Sequence, residues 1–289
     1  MTFRRLAQPM AITGESPLWD ATRQCLWWID IQAQRLLRTT MDGMTEAIAC
    51  PWQPGFVALG ESGDLVLGLE TGLWTLAPEA ERWRHVTPVE AERPTVRLND
   101  GKPDRHGRLF FGSMDMTGTG QALGRLYCRD TQGALHILRE GITVPNAIVP
   151  FPDGSGLWFA DSPLGTVEAL TLSQDGRAIT ESRTVCRTPE GTHPDGACLA
   201  ADGTLWIALI GSGEVLQVSP DGEVLARHPS PVTRATMPML GGPDGQTLFL
   251  TNQRRFLSPR DLAAQPAAGG LLAKRVSNKA GAVARVAGL

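Results

Sequence analysis

Four polar residues, Glu15, Asn99, Asn146 and Asp195, each stand ten or eleven residues before a Leu that is followed by a bulky apolar residue. The Leu pairs are Leu26-Trp27, Leu109-Phe110, Leu157-Trp158 and Leu205-Trp206. Two carboxylates and two amides form an all-oxygen donor set. Ca2+ and Mg2+ favour such a set, and Mn2+ and Zn2+ also accept carboxylate and amide oxygen. A cation so held polarises an ester carbonyl, and a carboxylate beside it can take a proton from water. No His or Cys occupies an equivalent position, which disfavours a structural zinc site. Neither a Gly-x-Ser-x-Gly elbow nor a Cys–His pairing stands out, so covalent catalysis is disfavoured as well.

Taken one at a time, these residues are ordinary turn formers. Pro194-Asp195-Gly196 uses the same letters as Pro152-Asp153-Gly154 and Pro243-Asp244-Gly245. Asp195 differs by its distance from the next Leu, whereas the other two stand four residues before theirs and read as hairpin turns.

The ruler that separates them is a repeat. The Leu phrase recurs at Leu65-Val66 and Leu248-Phe249, giving six copies spaced 39, 44, 48, 48 and 43 residues apart. A period of roughly 40–50 residues built from short strands predicts a β-propeller. The expectation is an all-β, six-bladed propeller in a single domain over residues 1–289. The first strand of each blade lines the central channel of such a fold, so the four polar residues should converge there. The remaining two blades carry Pro54-Gly55 and Met237-Pro238 at that position.

The rest of the chain fits this reading. Cys25–Asp30, Asp64–Gly68, Arg108–Gly112, Gly156–Ala160, Thr204–Ala208 and Thr247–Thr251 are apolar runs bounded by turn residues, as buried strands are. Asp-Gly pairs at 42–43, 153–154, 175–176, 202–203, 221–222 and 244–245 predict hairpin turns. Residues 258–268 read as a loop in the last blade, because Pro266 stops the helical turn that Ser258 and Pro259 could begin. The run Ala282–Val286 is expected to close the ring beside N-terminal residues.

A net charge of −3 argues against nucleic acid as the main partner. No apolar run is long enough to span a membrane, and Arg4-Arg5 is not followed by an apolar stretch of signal-peptide type. Five scattered cysteines without a C-x-x-C read as reduced thiols of a cytoplasmic protein. A monomer or weak homo-oligomer is expected.

Several motifs, in order, cover most of the chain. They are Gly14-Glu15-Ser16-Pro17-Leu18-Trp19, Arg97-Leu98-Asn99-Asp100-Gly101-Lys102-Pro103-Asp104 with Gly107-Arg108, and Gly112-Ser113-Met114-Asp115. Pro145-Asn146, Asp161-Ser162, Pro194-Asp195-Gly196 and Gly241-Gly242 follow. Together they resemble the regucalcin/gluconolactonase (senescence-marker-protein) family. The resemblance implies a six-bladed propeller that hydrolyses a sugar lactone, with one divalent metal ion (Ca, Zn, Mg or Mn) held by Glu15, Asn146 and Asp195. It makes Asp195 the general base and places Arg97 and Asn99 on the substrate, with Asn99 touching the metal in some members. Asp100 becomes a supporting hydrogen-bond partner, and Asp115 opens a loop over the mouth on the substrate side. Two other readings stand beside it: metal-assisted hydrolysis of an organophosphate or aryl ester, and a non-enzymatic Ca2+-binding protein.

The chain departs from the family pattern at Ala147, where Gly commonly follows the metal-binding Asn. It departs again at His193, next to Asp195, and in the short loop from Asp115 to Gly124.

Overall fold

The computed structural model describes residues 2–7 and 10–289, arranged as two compact units. The first unit comprises Met1–Pro51 and Pro189–Ala282, and the second Trp52–Thr188 and Val283–Leu289. Strands dominate both. Six sheets, each built on four antiparallel strands, make the six blades of a β-propeller, three in each unit. Blades one, five and six, whose first strands are Gly14–Asp20, His193–Leu199 and Ala235–Gly241, lie in the first unit. Blades two, three and four, which begin with Pro54–Gly60, Val96–Pro103 and Pro145–Pro150, lie in the second.

The repeated Leu phrase opens the second strand of every blade. All six of its Leu side chains are at most 1% exposed, which is why the phrase recurs: each copy seats its own blade's core. Burying one such side chain contributes about 1.5–3 kcal/mol. The glycines of the six Asp-Gly pairs read as hairpin turns take positive φ, between 72° and 96°. Only glycine adopts that geometry without a Cβ clash.

Two expectations are corrected. The C-terminal strand Arg285–Val286 does not close beside N-terminal residues; it pairs in parallel with Leu59 and Gly60 of the second blade. The N-terminal strand Arg4–Ala7 instead supplies the outer strand of the sixth blade, against Leu271–Arg275. Residues 258–268 hold a short helix, Pro259–Ala264, rather than only a loop. Ser258 and Asp261 form a reciprocal capping box there, which the sequence reading passed over because Pro266 follows so closely.

Candidate functional site

Every first strand carries one residue more than its partner at the same place. Glu15 and Leu18 face Ile29 and Trp27, and Leu98 and Gly101 face Ser113 and Phe111. Asn146 and Val149 face Ala160 and Trp158, while Pro194 and Ala197 face Leu209 and Ile207. A bulge of this kind kinks the strand and re-aims a side chain out of the ladder. Glu15, Asn99, Asn146 and Asp195 all fall within or at the edge of these bulges. Two non-glycine residues of these bulges take left-handed backbone. Ser16, which follows Glu15, has φ 47°, and Ala147, which follows Asn146, has φ 48°. Glycine is the residue that takes this conformation without cost, so Ala147 occupies a backbone suited to the family's Gly.

In the second unit the predicted residues form a connected network. The Asn99 amide nitrogen donates to Pro145 O at 2.9 Å and to Asn146 Oδ1 at 3.3 Å. Asn146 Nδ2 in turn donates to Ser162 Oγ at 2.8 Å. Both amides are therefore oriented: each nitrogen is committed to an acceptor, and Asn146 Oδ1 accepts from Asn99. Asp100 Oδ2 accepts from Ile148 N at 3.1 Å, an amide that the bulge takes out of the ladder, and Asp100 Oδ1 lies 3.7 Å from Lys102 Nζ. Arg97 is buried and turns one nitrogen onto Leu98 O at 2.8 Å.

Asp115 is engaged by the turn that follows it. Its carboxylate accepts from the backbone and hydroxyl groups of both Thr117 and Thr119, at 2.6–3.2 Å. The Thr119 and Thr117 hydroxyls, with the backbone bonds behind them, pull its pKa down to about 2. It holds the turn rather than presenting a vacant oxygen.

In the first unit, Glu15 is half-buried and Asp195 buried, each on the first strand of its blade. Glu15 Oε2 accepts from Ser16 N at 2.9 Å. The sixth blade's first strand meets both neighbours: Thr236 Oγ1 donates to Gly14 O at 2.6 Å, and a Cβ on Gly196 would stand 2.4 Å from Met237 Cγ. This explains one bland blade, since Met237 fills the space beside Asp195 that Gly196 leaves. In the second unit Gly55 serves the same purpose, because a Cβ there would lie 2.3 Å from Leu98 O and 2.7 Å from Asn99 O. His193 is exposed at the start of its strand.

Two supporting groups carried no assigned role in the sequence reading. Asp30 accepts from Ile12 N and Thr13 N, just ahead of Glu15. Asp161 accepts from Thr143 N and Val144 N, just ahead of Asn146. Both close the second strand of their blades, opposite Gly14 and Pro145, so one device fixes the approach of two expected donors. The signal was present in the sequence as a repeated Asp following an apolar run. Among the described residues no group of three or more His, Cys, Asp and Glu side chains gathers as a metal cluster. The expected set holds only two such groups and an amide.

Residues 13–254 match the family model described as SMP-30/Gluconolactonase/LRE-like region. The chain belongs to this family. A 6-deoxy-6-sulfogluconolactonase of Pseudomonas putida is 31% identical over 96% of this chain and 95% of its own length. Pentonolactonase XacC of Haloferax volcanii is 29% identical over 87% of this chain and 85% of its own. Among solved structures, a calcium-binding protein, regucalcin, from Agrobacterium tumefaciens superposes with a TM-score of 0.92 at 24% identity. That alignment covers 98% of this chain and 96% of the other, and shows a shared fold.

Proposed function

We propose that this protein hydrolyses a sugar lactone with the help of one divalent cation held by Glu15, Asn146 and Asp195. The observation that carries the reading is the family match over residues 13–254, taken with polar residues at equivalent bulges of four blades. The donor chemistry fits: two carboxylates and an amide oxygen whose nitrogen is already engaged by Ser162 suit a hard cation. When bound, the cation supplies charge stabilisation to the carbonyl oxygen of the lactone.

The chain's own residues supply the rest. Asp195 takes the proton of the attacking water at its carboxylate as the new C–O bond forms. The ring C–O bond then breaks, and the proton passes to the departing ring oxygen, leaving a hydroxy acid. Asn99 offers its Oδ1 to a sugar hydroxyl. Arg97 offers a planar set of N–H donors to the ring substituents. Asp100 and Ser162 keep the two asparagines in position, and Asp115 shapes the 115–124 loop rather than touching substrate.

The names of the relatives support a lactone over the other ester classes. A panel of sugar lactones, aryl esters and an organophosphate tests this. The reading predicts turnover of a sugar lactone above the others, and hydrolysis of only the aryl ester or organophosphate would overturn it.

A further inference from the structure

Beyond the second strand of the sixth blade the chain turns through Gln253-Arg254-Arg255-Phe256-Leu257, and this turn is unusual in three ways. Phe256 is 71% exposed and holds a left-handed φ of 67°, a conformation that a bulky side chain seldom takes. Two guanidinium groups sit on its one ring, Arg255 Cζ at 4.6 Å and Arg234 Cζ at 5.4 Å from the centroid. Arg234, though half-buried, has no carboxylate in ion-pair contact among the described residues. Its guanidinium meets the Gln253 amide, whose oxygen, in the orientation that satisfies both groups, accepts from Nη2 at 3.1 Å and Nε at 3.3 Å.

Two like charges brought to one ring repel each other, and a ring quadrupole offsets only part of that. An anion placed between them would relieve the repulsion and gain charge-assisted hydrogen bonds. The location matters as much as the charge. Arg234 immediately precedes the sixth blade's first strand, whose Met237 packs against Gly196, the neighbour of Asp195. Burial lowers the pKa of the Arg234 guanidinium, and the Asp195 carboxylate works in the opposite direction.

We propose that Arg234 and Arg255, flanking Phe256, form a subsite for an anionic group carried by the substrate at its end remote from the lactone carbonyl. Phe256 covers an apolar face of the substrate while the arginines take the carboxylate, sulfonate or phosphate. This rests on the lactonase reading and deepens it, by naming an acidic sugar lactone as the preferred class. It also answers an electrostatic difficulty, since Glu15 and Asp195 would otherwise repel such a substrate.

The test compares kcat/KM for gluconolactone and 6-phosphogluconolactone at low and high salt, in the wild type, Arg255→Ala and Arg255→Lys. Arg255 is exposed, so its replacement leaves the fold undisturbed. The wild type is expected to favour the phosphorylated lactone, more so at low salt. In Arg255→Ala the charged-to-neutral ratio should fall roughly tenfold, as loss of one charge-assisted hydrogen bond predicts, with partial recovery in Arg255→Lys. Equal kcat/KM for the two lactones, or a ratio unmoved by Arg255→Ala, overturns the subsite. If neither lactone is hydrolysed, the lactonase reading fails, and calorimetry with glucose 6-phosphate and uncharged glucose still decides the subsite. Preferential binding of the phosphate compound, lost in Arg255→Ala, supports it; equal binding contradicts it.

Discussion

Asn99 donates from its amide nitrogen to the side-chain oxygen of Asn146, 3.3 Å away, and so links the bulges of the third and fourth blades. The bond fixes which atom each amide presents. Asn146 has its oxygen accepting from Asn99 and its nitrogen tied to Ser162. A change at Asn99 that keeps its size and reverses its hydrogen-bonding character should therefore be felt at Asn146.

Asn99→Asp places a carboxylate oxygen against Pro145 O and Asn146 Oδ1. Leaving these acceptors opposed costs about 1–3 kcal/mol, so lactonase kcat/KM should drop by roughly ten- to a hundredfold. Steady-state kinetics check this, with circular dichroism to confirm the fold. Activity equal to the wild type would contradict the proposed orientation of the amides.

Ala147 tests the strained bulge. Replacement by Gly relieves a left-handed backbone worth about 1–2 kcal/mol. It also loses a buried methyl worth about 0.8 kcal/mol, and it frees the unfolded chain by about 0.4–1 kcal/mol. These terms nearly cancel, so Ala147→Gly should leave the urea midpoint almost unchanged. Ala147→Val puts a branched side chain at φ 48° in a fully buried position and should cost about 2 kcal/mol or more. A Val variant as stable as the wild type would show that the bulge relaxes freely.

Asp104 and Arg108 form a buried pair, with Arg108 Nη2 and Nε at 2.6 and 2.7 Å from Asp104 Oδ2. Asp104→Ala strands the guanidinium and should cost about 3–5 kcal/mol. Chemical denaturation measures that directly. A loss under 1 kcal/mol would mean that water or Gly154 O satisfies Arg108 without its partner.

His228 is stacked on Trp206, its Nδ1 lies 3.1 Å from Lys274 Nζ, and its Nε2 is buried without a partner. Burial first, and the Lys274 charge second, push its pKa down from 6.5 to about 4. Because the folded value is the lower one, the unfolded chain binds the extra proton between these two pH values. The contribution to stability is thus fully present above pH 6.5 and falls as pH drops toward 4. Thermal melts across that window should show Tm declining with acid, and less steeply in His228→Phe. Identical slopes for the two proteins would remove His228 as the cause.

The architecture was legible because each blade repeats one buried phrase, and a period of that length admits few folds. The bulges were not. A one-residue insertion is defined only against a partner strand, and nothing in Gly14-Glu15-Ser16-Pro17 announces one. Asp195 could be told from Asp153 and Asp244 by register alone; in the structure those two occupy hairpin turns, where Asp153 accepts from Ser155 and Asp244 pairs with Arg275. Roles were harder to read than positions. Asp104 and Arg108 belong to the family motif yet form scaffold, and Asp115 serves its own turn. Ser162 acts through a contact 16 residues away, which no local pattern encodes, whereas Asp30 and Asp161 left one visible sign, an Asp that closes an apolar run.

The central claim is that a cation held by Glu15, Asn146 and Asp195 supports hydrolysis of a sugar lactone with Asp195 as base. The most direct measurement is gluconolactone hydrolysis by the wild type before chelation, after removal of metal, and after add-back of Ca2+, Mg2+, Mn2+ or Zn2+, with Asp195→Ala alongside. The account predicts activity lost on stripping, restored by at least one ion, and absent from Asp195→Ala under every condition. Full activity in the stripped protein, or in Asp195→Ala, would contradict it.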